Sequence, residues 1–337
     1  MPVRPSPRPK AIDERRFHAW LARELPAGHG GLLPLGDDAA AIRPPAGTVA
    51  VLSIDSLVEG THFRAASPPE RIGAAAAAVS LSDLAAKGAE PTALLLAIVV
   101  PPGTPQNWAE AVARGAERTA QRFGMALVGG DTKPGPVRTV VSSVVGWARE
   151  GALAPRSGAR PGDVLATTGT VGRGGAAAAR LFGMKRPDRR ALVDMLDVRP
   201  RVAEGAALAR WAHAMLDTSD GLAEAARLLA DASRVRVEVD WDRLPLAPSL
   251  RDPDLTASER RRRAFYGGDY ELLLALPPRT QAAARAAVLR AGGRLTAIGR
   301  VAQGRGAWLT VGSRTRPMPA AGWRPFARLA RRGRRGA

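Results

Sequence analysis

The chain has 337 residues, enough for two domains of ordinary size with a cleft between them. Its net charge of +19 is nearly all arginine spread through Ala/Gly/Pro-rich sequence, thickened only at 328–335 and without interleaved aromatics, which argues against specific nucleic-acid binding. Cysteine is absent, so disulfides, thiolate metal sites and cysteine nucleophiles are excluded, and no run approaches the ~18 apolar residues of a membrane span.

The opening MPVRPSPRPK is basic and proline-rich with no apolar stretch behind it, which reads as a disordered lead rather than a signal peptide and predicts a cytoplasmic protein. GDDAA at 36–40 carries Asp38 in ordinary turn chemistry. A β run at 49–53 leads into SIDSLVEGTHF, where Asp55 interrupts apolar sequence and is costly inside a sheet unless paired. With Ser53 beside it, an oxygen-rich magnesium site is one reading. His62 is either a satisfied loop histidine or a ligand. An alanine-rich helix is predicted over 69–87 with proline near its start, and within it Asp83, between Leu81 and Leu84, is either a turn-former or a ligand. A buried strand at 93–100, a helix at 105–123, a short strand at 125–128 and a long one at 137–147 complete a mixed α+β first half. The short strand runs into VGGDTKPG, whose paired glycines let a backbone approach phosphate while Asp131 meets an accompanying metal and Lys133 offers a point charge.

A Gly/Pro-rich stretch at 150–162 without periodicity marks a boundary. Beyond it a strand at 164–168 enters TGTVGRGGAAAARL, a glycine-rich turn opening a helix that lacks the Lys-Ser/Thr ending of a Walker A motif. After a helix at 203–212, Met215 and Leu216 run into DTSDGL, where Asp217 and Asp220 flank Ser219 at the mouth of a helix at 221–232. That places candidate metal ligands, a hydroxyl and free backbone N–H groups together. Strands at 235–239 and 270–276, a helix at 279–291 and a closing hairpin of 295–301 with 307–311 complete the chain. Aspartates thus recur where apolar runs stop, so strand ends would deliver carboxylates to one sheet rim, where they repel unless cations hold them. The economical reading is a magnesium-phosphate site, although no kinase catalytic loop, nucleophile elbow or HExxH motif is present.

In order, GDDAA, SIDSLVEGTHF, VSLSDLAAKGAEP, VGGDTKPGP, APRSGARPGD, TGTVG, DTSDGL and GGDYELL resemble the motifs of the thiamine-monophosphate kinase family over residues 35–326. That family belongs with aminoimidazole ribonucleotide synthetase, selenophosphate synthetase and the hydrogenase maturation dehydratase. The resemblance implies an α+β chain with an N-terminal ferredoxin-like domain on a mixed sheet and a C-terminal α+β domain. It divides the chain into a basic lead and first helix (1–30), an ATP/metal-binding and dimerisation domain (31–150), a C-terminal domain (151–327) and a basic tail (328–337). It implies transfer of the ATP γ-phosphoryl group to thiamine monophosphate with several Mg²⁺ ions, in a homodimer built through the N-terminal sheets, with no general base required.

Position by position, the resemblance makes Asp38, Ser53, Asp55, Asp83, Asp131, Asp217 and Asp220 the metal set. It gives ATP contacts to Gly130, Asp131, Arg156 and Ser219, and thiamine-phosphate contacts to His62, Asp269 and Trp323. Trp323 is either a core residue or a face for the cationic thiazolium. Three departures stand out: Ile54 where Thr is common, GGDYEL in place of GGEDYEL so that Asp269 either replaces a glutamate or shifts register, and Arg173 where an acidic residue is common. The competing readings are an aminoimidazole ribonucleotide synthetase-like enzyme and a non-catalytic nucleotide- or nucleic-acid-binding protein.

Overall fold

The structure, a computed structural model, describes residues 12–24, 42–184 and 186–323. The GDDAA motif with Asp38, and the arginine-rich tail, lie outside the described residues. After α1 (Glu14–Glu24), the first half runs β1 (Val49–Val58), α2 (Pro69–Lys87), β2 (Glu90–Val100), α3 (Gln106–Arg122), β3 (Ala126–Pro134) and β4 (Thr139–Ala148). Its sheet has the order β1-β4-β2-β3. Strand β4 is antiparallel to both β1 and β2, so these run parallel on either side of it, and β3 lies parallel beyond β2. The sheet is therefore mixed, as the sequence predicts. Helix α2 is buried along nearly its whole length because it is packed on several sides: against the first sheet, α3 and the second half of the chain. Small residues permit that approach, since a Cβ on Gly73 would meet the Val112 carbonyl oxygen at 1.8 Å.

The second half runs β5 (Val164–Thr168), α4 (Arg173–Gly183), α5 (Arg189–Asp194), α6 (Val202–Leu208), β6 (Ala214–Asp217), α7 (Leu222–Ser233), β7 (Arg236–Asp240), α8 (Ala257–Ala264), β8 (Leu272–Leu276), α9 (Gln281–Arg290), β9 (Leu295–Ala302), β10 (Gly306–Val311) and β11 (Arg314–Pro317). They form one sheet of order β11-β10-β7-β9-β5-β8-β6. Among the described residues no helix is long and apolar enough to cross a membrane.

Two expectations change here. The hairpin expected from 295–301 and 307–311 does not form: β7 lies between β9 and β10, antiparallel to the first and parallel to the second. Val237 and Val239 on β7 are fully buried, and burying an apolar strand on both edges removes more surface from water than leaving it at the rim. The hairpin is instead β10–β11. In addition, β1 continues to Val58 and β3 to Pro134, so Asp55 and Asp131 lie inside strands rather than at strand ends.

Candidate active site

Strand β6 is buried at Ala214, Met215 and Leu216 and surfaces at Asp217, where DTSDGL turns into α7. Asp217 accepts a hydrogen bond from Ser219 Oγ at 2.8 Å and another from Ser82 Oγ at 2.7 Å, the second reaching across from α2. The next residue of α2, Asp83, accepts from Ser53 Oγ of β1. Alternation places Ser53 and Asp55 on the same face of β1, the face that meets α2. Asp55, Asp83, Asp217 and Asp220 therefore converge on one cleft of about 470 Å³ between the two halves, which Arg156 and Ser219 also line.

The hydrogen-bond partners of Asp83 and Asp217 are serine hydroxyls, so neither charge is neutralised by these contacts. Burial together with the charges of Asp83, Asp217 and Asp220 pushes the Asp55 carboxyl up to about 7. Burial and Asp83 push Asp217 up to about 6, and Asp220 is raised by burial and Glu224. The donors are all hard oxygens and the cluster is self-repelling, which fits a hard divalent cation. Among the described residues, no three His, Asp or Glu side chains are grouped so as to hold one ion by themselves. That spread suits magnesium, which keeps several waters and is usually shared with substrate phosphates.

The same cleft also carries an aromatic group. His62 and Trp323 approach with ring centroids 6.0 Å apart, and Tyr266 meets Trp323 edge-on at 6.0 Å. The Trp323 backbone N–H donates to the Asp220 carbonyl at 3.0 Å, which ties this end of the chain to the DTSDGL turn. His62 Nδ1 accepts from the Val58 N–H at 3.0 Å, which leaves the Nε2 proton available, and burial lowers its pKa so that the ring is neutral.

Other candidate residues lie elsewhere. Asp131 pairs in register with Ala97, Ala97 with Val141, and Val141 with Ser56. Asp131 thus shares its face with Ser56, opposite to Asp55, and it sits three strand spacings away, roughly 14 Å. It is half exposed and pairs with Lys133 at 3.0 Å. Gly130 lies within β3 rather than after it, and a Cβ there would meet the Leu96 carbonyl oxygen at 1.9 Å, so its strand packing alone demands glycine. Asp269 does not line the cleft: it is buried and accepts from the Gly172 and Gly174 N–H groups at 2.6 and 2.8 Å. The glycine-rich turn that looked like a phosphate cradle thus receives the chain's own carboxylate at a helix N-terminus. Ile54 points to the open face, 68% exposed, and Arg173 is occupied by Asp197.

Sequence reasoning missed Tyr266, Tyr270 and Lys87. The two tyrosines flank the GGD segment and line the cleft. Lys87 follows Asp83 by one turn and reaches into the second half, donating to the Met215 and Ala154 carbonyls at 2.9 and 3.0 Å, with burial and Arg156 lowering its pKa to about 8. Their signal was spacing within motifs already singled out.

Residues 36–148 match the AIR synthase related protein N-terminal domain and residues 160–312 its C-terminal domain. The chain is 40% identical over 273 residues to a thiamine-monophosphate kinase of Halobacterium salinarum, spanning 81% of this chain and 89% of that one. The crystal structure of thiamine-monophosphate kinase from Stenotrophomonas maltophilia K279a superposes with a TM-score of 0.77 at 32% identity, covering 89% of this chain and 95% of that one. AaThiL complexed with AMPPCP and TMP gives 0.72 at 27% identity over 86% and 91%. Both halves match, and the kinase likeness runs across them: the chain belongs to the thiamine-monophosphate kinase family.

Proposed function

We propose that this protein transfers the γ-phosphoryl group of ATP to thiamine monophosphate, giving thiamine diphosphate and ADP. The observation that carries this reading is the pairing, in one cleft, of a self-repelling carboxylate cluster with an aromatic group. The first suits metal-bridged phosphates, the second an aromatic cation. Family membership and the relatives' names support the same reaction. The test is formation of thiamine diphosphate from ATP and thiamine monophosphate by the purified protein. Turnover with a different acceptor and none with thiamine monophosphate would remove the substrate assignment and leave the fold untouched.

In this reading Asp55, Asp83, Asp217 and Asp220, with Ser53, hold magnesium. When bound, magnesium neutralises the phosphates of both substrates, whose mutual repulsion is the main barrier to in-line transfer. Arg156 offers a forked pair of donors to an ATP phosphate, and Ser219 with the N-terminal amides of α7 offers further donors. The acceptor oxygen is already ionised, so no side chain has to remove a proton. His62 presents Nε2–H to the acceptor, and Trp323 offers its indole face to the thiazolium. Trp323→Ala is expected to raise KM for thiamine monophosphate roughly 3- to 30-fold, the range a cation–π contact supplies. KM for ATP should stay unchanged in the same steady-state assay.

We read residues 31–150 as the ATP/metal-binding and dimerisation domain and 151–327 as the C-terminal domain of a homodimer. A second copy is supported by the open face of the first sheet, where Leu52 and Ile54 are 67% and 68% exposed and Leu95 is exposed two strands across, with Ser143 between. Large apolar side chains adjacent on one sheet face are a normal mark of an interface. Asp131 issues from that same face, so a docked copy gives it a route to a cleft that its own chain denies it. Mixing Asp55→Asn with Asp131→Asn protein, each inactive alone, is then expected to restore about a quarter of full activity, because half the dimers are hybrids with one intact site. No restoration on mixing would place Asp131 outside any shared site.

A further inference from the structure

Tyr270 sits just before β8 with φ +54, in the left-handed region that disfavours any side chain. The other described non-glycine residue there, Arg234 at φ 55, simply closes α7 as a C-cap. Tyr270 caps no helix. A conformation of this kind persists where its neighbours over-determine it, and here both neighbours are pinned. Asp269 is held by two backbone N–H groups, and Glu271 is gripped by Arg201 and by the Thr168 hydroxyl. With the residues on either side locked into the second half, the side chain between them is turned out of it. Its ring packs against the hydrophobic core of the first half and forms part of the cleft wall. Burial first, and then the charges of Asp55 and Asp83 from one half and of Asp217 and Asp220 from the other, push its hydroxyl far above the ordinary tyrosine range.

We propose that Tyr270 is a positioning residue: its ring is a spacer between the halves that fixes the separation of Asp55 and Asp83 from Asp217 and Asp220, and with it the span across which two phosphates are held. That role accounts for the strained backbone, which turns the ring toward the first half while Asp269 and Glu271 stay in place. The inference rests on the magnesium-dependent kinase reading above.

The test is calorimetric titration of Mg²⁺ into the full-length protein, alone and with inorganic phosphate present, followed by steady-state kinetics. Tyr270→Phe keeps the ring, so its magnesium isotherm and kcat are expected within about threefold of the unaltered protein. Tyr270→Ala removes the spacer, and is expected to weaken magnesium binding about tenfold or more and to lower kcat, with KM for ATP within about threefold, as misplacement of reacting groups does. If Tyr270→Ala does not fold, Tyr270→Leu carries the same comparison. An unchanged isotherm in the folded Ala or Leu variant overturns the proposal. So does equal loss in Tyr270→Phe, which assigns the effect to the hydroxyl. A titration of the unaltered protein that stays flat both alone and with inorganic phosphate is a different failure: it removes the metal reading and the spacer with it.

Discussion

Asp55→Asn is expected to lower turnover by at least about a hundredfold while leaving the protein folded, and Asp220→Asn to do the same. Both side chains face the cleft, and amides cannot supply the anionic oxygen that a hard cation prefers. The stability of the metal-free protein should move the opposite way. Asp55 has a folded value of about 7 against 3.8 for the free group, so the folded state binds the extra proton and stability is lost as pH rises from 3.8 to 7. Asn carries no charge in that window. Metal-free Asp55→Asn should therefore melt at the same or a higher temperature at pH 8. Added magnesium, which binds only the folded state, should stabilise the unaltered protein more than the variant. A variant that keeps full activity, or one that melts well below the parent without metal, contradicts the assignment of Asp55 as a metal ligand.

Glu271→Ala is expected to cost about 3–5 kcal/mol of stability, the largest effect anticipated for a single side chain here. Glu271 is 2% exposed and receives Arg201 through Nε and Nη2, the Thr168 hydroxyl at 2.8 Å and the Thr170 N–H at 3.3 Å. Removing it leaves a half-buried guanidinium without its main partner and strips an acceptor from both threonines. The surroundings cannot refill the space cheaply, because Gly169 lies against the carboxylate: a Cβ there would be 2.1 Å from its oxygen. Glu271→Gln should lose less, since it keeps the volume and one acceptor. Chemical denaturation of the three proteins measures the difference, and an Ala variant within about 1 kcal/mol of the parent would show that Arg201 finds solvent instead.

Much of the fold was legible because local periodicity reports local structure. The alternation of β4 and the continuous apolar run of β2 place those strands nearly where they lie, and DTSDGL is both the end of β6 and the start of α7. The lengths of β1 and β3 were underestimated because each contains an aspartate, and a carboxylate in a sheet looks like a terminus until its partners are known. The false hairpin has a related origin. Two nearby strands joined by a short loop normally pair, and nothing in their own residues announces that β7, more than fifty positions earlier, comes between them.

The sequence by itself determined the chemistry available: oxygen donors without thiols, in motifs whose order belongs to one kinase family. Tertiary structure decided which of those donors meet. Ser82 and Asp217 are 135 residues apart and share a hydrogen bond, whereas Asp55 and Asp131, similar in sequence context, leave opposite faces of one sheet. It also turned Asp269 inward, brought Tyr266 and Trp323 together, and set Tyr270 between the halves. The reason is physical: a residue's neighbours in sequence fix its backbone and the alternation of its side chain, but its partners are chosen by long-range burial of apolar surface, which the local pattern does not encode.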